Sequence, residues 1–156
     1  MKVSALEEFG LRFLLEIGRQ EGTSRTIPEL AQHEGISEAN VAKILRILRQ
    51  AGFVRSTRGS SGGYALARPA DQIIVGEALA ALGGRLFEQD FCDKHSGFET
   101  LCTHSVDCTI RSVWRMVQGA VDDVLGRLTL KDLLCREREM RPGSGTALML
   151  PTVGPH

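Results

Sequence analysis

Phe53-Val-Arg-Ser-Thr-Arg-Gly-Ser-Ser-Gly-Gly-Tyr-Ala-Leu-Ala-Arg68 is the stretch that decides the fold. Two arms mixing apolar and aromatic residues flank an Arg-Gly-Ser-Ser-Gly-Gly tip. This pattern predicts a β-hairpin whose glycines take the positive-φ conformations of a tight turn. Arg55, Arg58 and Arg68 place cations on the same hairpin. Tyr64 and Phe53 read as core residues beneath it.

Working upstream, Ser37 is a good N-cap for a helix running through Val41, Ile44, Leu45 and Leu48 to Ala51, with Gly52 as its stop. Before it, Thr26 caps a shorter helix with Pro28 in its first turn, Glu29 at the capping-box position and Gly35 at its end. Two short helices joined by a tight turn make a helix-turn-helix, and a basic hairpin after it makes a winged helix. Further upstream, Ser4 and Glu7 form a capping box for a helix carrying Leu6, Phe9, Phe13, Leu14 and Ile17 at helical spacing. The intervening residues 20–25 read as a polar loop.

Downstream of the hairpin, residues 68–72 form a turn and Val75 to Leu82 a short helix, broken by Gly83-Gly84. A cysteine-bearing loop of low apolar periodicity follows. From Thr109 to Leu128 the spacing of Ile110, Val113, Trp114, Val117, Val121, Val124 and Leu128 predicts a long helix with one apolar stripe. Thr129 then caps another short helix, with Asp132 as the capping acid. The chain after residue 135 is rich in Gly, Pro and polar residues and reads as disordered. The expected division is therefore a winged helix-turn-helix domain over 1–84, a cysteine loop over 85–108, two helices over 109–135, and a tail over 136–156.

Net charge is zero over 156 residues, which at first argues against a polyanionic partner. Its distribution argues the other way. Residues 38–68 hold Lys43, Arg46, Arg49, Arg55, Arg58 and Arg68 against Glu38 alone, a local balance of +5. A basic module on an acidic body binds phosphate locally without wholesale affinity for polyanions. In a helix-turn-helix the second helix enters the major groove N-terminus first. That places Ser37, Glu38, Ala39, Asn40 and Lys43 at base edges, with Asn40 able to pair bidentately with adenine. Arg46 and Arg49 lie further along, toward phosphates. The tip, Arg58-Gly59-Ser60, suits a minor groove, where a guanidinium on a glycine-flanked turn inserts without a bulky loop. The alternative is a solvated basic face on a module that contacts protein.

No nucleophile–base pair, phosphate loop or HExxH motif is present, so an enzyme is not expected. No run approaches the ~18 apolar residues of a membrane span. The N-terminus opens directly into an amphipathic segment, so a cytoplasmic protein is expected. In that compartment Cys92, Cys102, Cys108 and Cys135 point to metal binding or redox chemistry before structural disulfides.

The string Val54 to Arg68 closely resembles the wing of the Rrf-type winged-helix transcription regulators, which include IscR-, NsrR- and RirA-like iron–sulfur cluster regulators. The resemblance extends from Met1 to about Leu134 through Ile36-Ser37, Lys43-Ile44-Leu45, Val75-Gly76-Glu77, the cysteine loop and Thr129-Leu-Lys-Asp-Leu133. It implies a mainly α fold: a winged helix-turn-helix with a two-stranded β wing and a long C-terminal dimerisation helix at about 109–128. A homodimer of this kind would bind a pseudo-palindromic double-stranded DNA operator. A helix folded back on its own domain is the alternative for the stripe.

The resemblance also implies a repressor that senses redox state, nitric oxide or iron status through an iron–sulfur cluster on Cys92, Cys102 and Cys108. Thiolates are the usual ligands of such clusters. The spacing suits either a 2Fe-2S or a 4Fe-4S centre. The gap from Cys102 to Cys108 matches the family, whereas that from Cys92 to Cys102 is longer. IscR-like members carry a histidine three residues after the last cysteine, where this chain has Arg111. NsrR-like members use an acid near the start of the first helix, and Glu8 stands in the matching place. His104, His95, Cys135 or a small exogenous thiol remain alternatives for the fourth ligand, and a plain solvent-facing acid is the alternative for Glu8. Zinc ranks low without a close Cys-x-x-Cys pair. Reversible thiol oxidation, or a cluster-free module acting through a protein partner, are the competing functions.

Overall fold

The computed structural model describes residues 3–20, 22–58, 62–84 and 109–140, with side chains described up to residue 136. Its elements are α1 (Ala5–Gly18), α2 (Ile27–Glu34), α3 (Glu38–Gln50), β1 (Val54–Thr57), β2 (Gly63–Leu66), a 3-10 turn (Ala70–Gln72), α4 (Val75–Gly83), α5 (Thr109–Leu125) and α6 (Leu130–Met140). The fold is the expected mainly helical winged helix-turn-helix.

Capping fixes the helix starts. Ser4 with Glu7, and Thr26 with Glu29, each form a reciprocal capping box. Ser37 accepts from the Asn40 backbone N–H to begin α3. Gly35, at φ 68°, ends α2 in the left-handed conformation that lets the chain turn directly into Ser37. The helix-turn-helix angle is thereby set by one glycine and one serine.

The core is built on the inward face of α1. Phe13, Leu14 and Ile17 are buried with Leu30 of α2 and Val41, Ile44, Leu45 and Leu48 of α3. Phe53, Val54, Ile73, Ala78 and Leu82 close the cluster from the wing, the end of the 3-10 turn and α4. Gly10 lets α4 lie close, because a Cβ there would collide with the Leu82 side chain. Removing such apolar surface from water is the main favourable term in folding.

Strands β1 and β2 pair antiparallel, Val54 opposite Leu66 through Thr57 opposite Gly63. The segment before α2 departs from the polar loop expected there. Arg25 bridges to Tyr64, its N–H donating to the Tyr64 carbonyl at 2.9 Å and its carbonyl accepting from the Tyr64 N–H at 2.7 Å. The wing thus has a one-residue third strand. Gly63 serves this contact and not a positive φ: a Cβ there would lie 2.9 Å from the Arg25 carbonyl oxygen. A single bridging residue leaves no periodicity to read, which is why the sequence shows only a loop.

The C-terminal part also differs from expectation. Helix α5 ends at Leu125, short of the expected Leu128, and α6 continues to Met140, past the expected boundary at 135. Helix α6 belongs to the core of the N-terminal domain, where Leu130 and Leu134 are buried. Backbone pairs tie it there: Leu130 N–H donates to Ile73 O at 2.8 Å, and Val75 N–H to Leu128 O at 2.9 Å. Helix α5 meets the domain at its far end, where Leu125 packs on Gly76. Its remaining stripe is uncovered among the described residues, with Ile110 68%, Trp114 44%, Met116 72% and Val124 62% exposed. It is not folded back on the described part of its own domain.

Replacing Leu130 by Ala should cost about 2–5 kcal/mol in urea unfolding, the range for a large-to-small change in a packed core. The start of α6 makes a second prediction. Hydrogen bonds from the Thr129 side chain and backbone hold the Asp132 carboxyl below its usual range. A depressed carboxyl stabilises the fold above its unfolded-state pKa, and that contribution fades as pH falls through the lower folded-state value. Stability should therefore drop on acidification below the ordinary carboxylate range. Asp132→Asn should flatten part of that slope in thermal melts across pH.

Candidate nucleic-acid interface and sensor elements

Helix α3 buries Val41, Ile44, Leu45 and Leu48, and this register decides what it exposes. Ser37, Glu38, Ala39, Asn40, Lys43, Arg46 and Arg49 all face solvent. Every predicted residue of the recognition helix is therefore accessible to solvent. The acid at its start, Glu38, lies in the first turn beside the unpaired backbone N–H groups. Cations dominate the rest of the face.

Arg55 and Arg58 on the wing are exposed as well. Gly59 and Ser60 lie outside the described residues. Arg68 has a structural role the sequence did not show. Its guanidinium stacks 4.9 Å from the Phe53 ring centroid and pairs with Glu77 at 3.4 Å, fastening the base of β2 to α4. The basic surface is thus carried by α3 and the wing beyond β1, with Arg68 turned toward α4.

Cys92, Cys102 and Cys108 lie outside the described residues, as do His95 and His104. Among the described residues no group of three His, Cys, Asp or Glu side chains converges to hold a metal. Cys135, on α6, is an exposed free thiol. Glu8 lies early in α1, its side chain 52% exposed. Among the described residues one cation holds it: Arg12 Nε donates to Glu8 Oε1 at 2.8 Å, and Nη2 lies 2.7 Å from the same oxygen. Arg12 Nη1 also donates to Glu34 Oε2 at 3.2 Å. These bonds, with Glu8 the leading partner, raise the guanidinium pKa above its ordinary value. Helix α4 ends against the neighbouring acid, since a Cβ on Gly83 would collide with the Glu7 side chain. The end of α4 therefore lies beside the first turns of α1.

Behind this surface, ion pairs run through the α1–α2 contact. Glu34 sits 3.0 Å from His33 Nδ1, and His33 Nε2 lies 3.7 Å from Glu16. Glu16 is buried and paired with Arg19 and with Arg25, the latter at 3.2 Å. Sequence reasoning missed Glu16 because it falls on the apolar face of α1, where an acid carries no signal without its distant partners. No described helix is long and apolar enough to cross a membrane.

Comparison with known proteins agrees with this geometry. Residues 3–136 match the Rrf2 family model, described as an iron-dependent transcriptional regulator. Protein rrf2 of Nitratidesulfovibrio vulgaris is 34% identical over 86% of this chain and 87% of its own. The regulator CymR of Bacillus subtilis is 29% identical over 85% of this chain and 89% of its own. Its solved structure, that of the global cysteine regulator, superposes with a TM-score of 0.70 at 27% identity, covering 87% of this chain and 98% of that one. T. potens IscR superposes with a TM-score of 0.71 at 29% identity, covering 90% and 91%. These relatives are regulators and not enzymes, and with the winged helix and its basic face they identify this chain as a member of the Rrf2 family of DNA-binding transcriptional regulators.

Proposed function

We propose that this chain is a dimeric operator-binding repressor whose grip is set by an iron–sulfur cluster on its cysteine loop. The observation that carries the DNA-reading part is the single exposed face of α3, with Asn40, Lys43, Arg46 and Arg49, beside a cationic wing. Asn40 and Lys43 would meet base edges, Arg46 would meet phosphate, and Arg58 with Gly59 and Ser60 would enter the adjacent minor groove. Ser37, Glu38 and Ala39 form the leading edge of the helix in the groove.

The dimer reading is supported by α5. Its stripe of Ile110, Val113, Trp114, Met116, Val117 and Val124 is too apolar and continuous to be left in water without a partner. A second copy of the same helix covers it with two-fold symmetry, and the two recognition helices then face successive turns of a pseudo-palindrome.

Cys92, Cys102 and Cys108 would hold the cluster, 2Fe-2S or 4Fe-4S, with Glu8 as the oxygen donor. Such a centre supplies a charge and ligand set that respond to oxygen, nitric oxide and iron supply. Glu8 fits the donor role in one respect: its carboxylate is accessible and paired with a surface cation. To ligate, it must leave Arg12, which loosens one of the two pairs Arg12 makes with Glu8 and Glu34. A second reading draws on the likeness to CymR, the global cysteine regulator. In it the chain is cluster-free and acts by thiol oxidation or through a protein partner.

Iron and sulfide counting on anaerobically purified protein separates the two. Stoichiometric iron and sulfide, lost when Cys92, Cys102 or Cys108 is replaced by Ala and retained less firmly in Glu8→Ala, is the expected result. Colourless anaerobic protein supports the second reading. Cluster-loaded and apo protein should also differ in operator affinity at fixed salt.

For the DNA face, Asn40→Ala should cost about 1–3 kcal/mol and relax preference at one base pair. Arg46→Ala should weaken all sequences alike and reduce the salt slope by about 1. Trp114→Glu should yield monomers in sedimentation and abolish tight binding to the two-half-site operator.

A further inference from the structure

We propose that Glu16 is a positioning residue for operator binding: its buried carboxylate holds Arg25, and Arg25 holds the wing. This inference rests on the DNA-binding reading above. Glu16 is only 8% exposed and lies on neither of the two DNA-reading elements. Burying a carboxylate is costly unless cations and hydrogen bonds compensate for the water it loses. Its partners come from three segments: Arg19 at the end of α1, Arg25 of the segment before α2, and His33 of α2.

Arg25 is the partner with a consequence for DNA. Its backbone pairs in both directions with Tyr64, at 2.9 and 2.7 Å, as the third strand of the wing sheet. Gly63, next along β2, is bare so that the Arg25 carbonyl can approach. One residue of pairing is a weak strand by itself, and the 20–25 segment has no apolar side chain to anchor it. The side chain of Arg25 supplies the anchor by reaching Glu16. Helix α3 packs on the same helix α1, through Phe13 and Leu14 in the shared core. Thus one carboxylate fixes the lateral strand of the wing in the frame that also holds the recognition helix. The angle between the two DNA-reading elements, and so simultaneous reach into adjacent major and minor grooves, depends on it.

The test uses the full-length chain with Glu16→Gln and Arg25→Gln, each first checked for cooperative thermal unfolding. Arg25, on the more accessible side of the pair, keeps the experiment available if the Glu16 variant does not fold. Minor-groove contact is read by hydroxyl-radical footprinting and major-groove contact by protection of guanine N7 from methylation. Both variants should lose minor-groove protection at the wing, retain major-groove protection, and bind the operator about tenfold more weakly, the size carried by mutations along a packed coupling chain. The double variant should bind no worse than either single one. Independently of DNA, exchange of the Tyr64 amide hydrogen should accelerate in both variants. Equal loss of protection in the two grooves, or unchanged minor-groove protection with unchanged Tyr64 exchange, would overturn the proposal. Wild-type protein protecting neither groove would instead overturn the DNA-binding reading, leaving Tyr64 exchange to decide the Glu16–Arg25 anchor.

Discussion

The inward face of α1 is the constraint on which the molecule depends. Phe13, Leu14 and Ile17 meet side chains from α2, α3, the wing, α4 and α6 in one cluster. A helix-turn-helix by itself is too small to exclude water from its own apolar faces, and small units of this kind are marginal without added burial. Helix α1 supplies that burial. It also explains why Gly10 and Gly18 interrupt an otherwise good helix: α4 approaches at the first, and the Leu130 and Leu134 side chains at the second. The helical propensity lost at each glycine is offset by the apolar surface that the close approach buries.

The charges are sorted by the same helix. Its exposed edge carries Glu8 and Arg12, and its last turns carry Glu16 and Arg19. These groups connect α1 to α2 and to the wing, while the cations of α3 are left facing outward. Glu8, Glu16 and Glu34 are therefore each engaged by cationic side chains of the body. That division reconciles zero net charge with affinity for a phosphate backbone, since the field at close range follows local charge and salt screens the rest.

Much of this fold is legible in the sequence. The capping pairs Ser4–Glu7, Thr26–Glu29 and Thr129–Asp132, and the stops at Gly35 and Gly52, are local signals that survive in the fold because each is satisfied within one turn of chain. The exposed face of α3 follows from the spacing of its apolar residues. What is not legible depends on long-range partners. Arg25 as a strand residue, Glu16 as an interior acid, Arg68 as a clamp on Phe53 and α6 as a core helix each require knowing what lies opposite. The spacing of Leu130 and Leu134 marks one apolar edge, yet nothing local says that Ile73, far back in the chain, receives it. The cysteine trio stands apart, since its chemistry is read from residue type and its placement lies outside the described residues.

The paired backbone bonds at Ile73–Leu130 and Val75–Leu128 bring the chain back to where it left. Between these bonds the described chain runs out through α4, whose Ala78 and Leu82 belong to the core, and comes back through α5. Because these bonds are made by residues on either side, the number of residues between Gly84 and Thr109 can change without disturbing them. A change in the interval between Cys92 and Cys102 would leave the DNA-reading half to fold as before. Variation in that interval is thereby separated from constancy of the reading head.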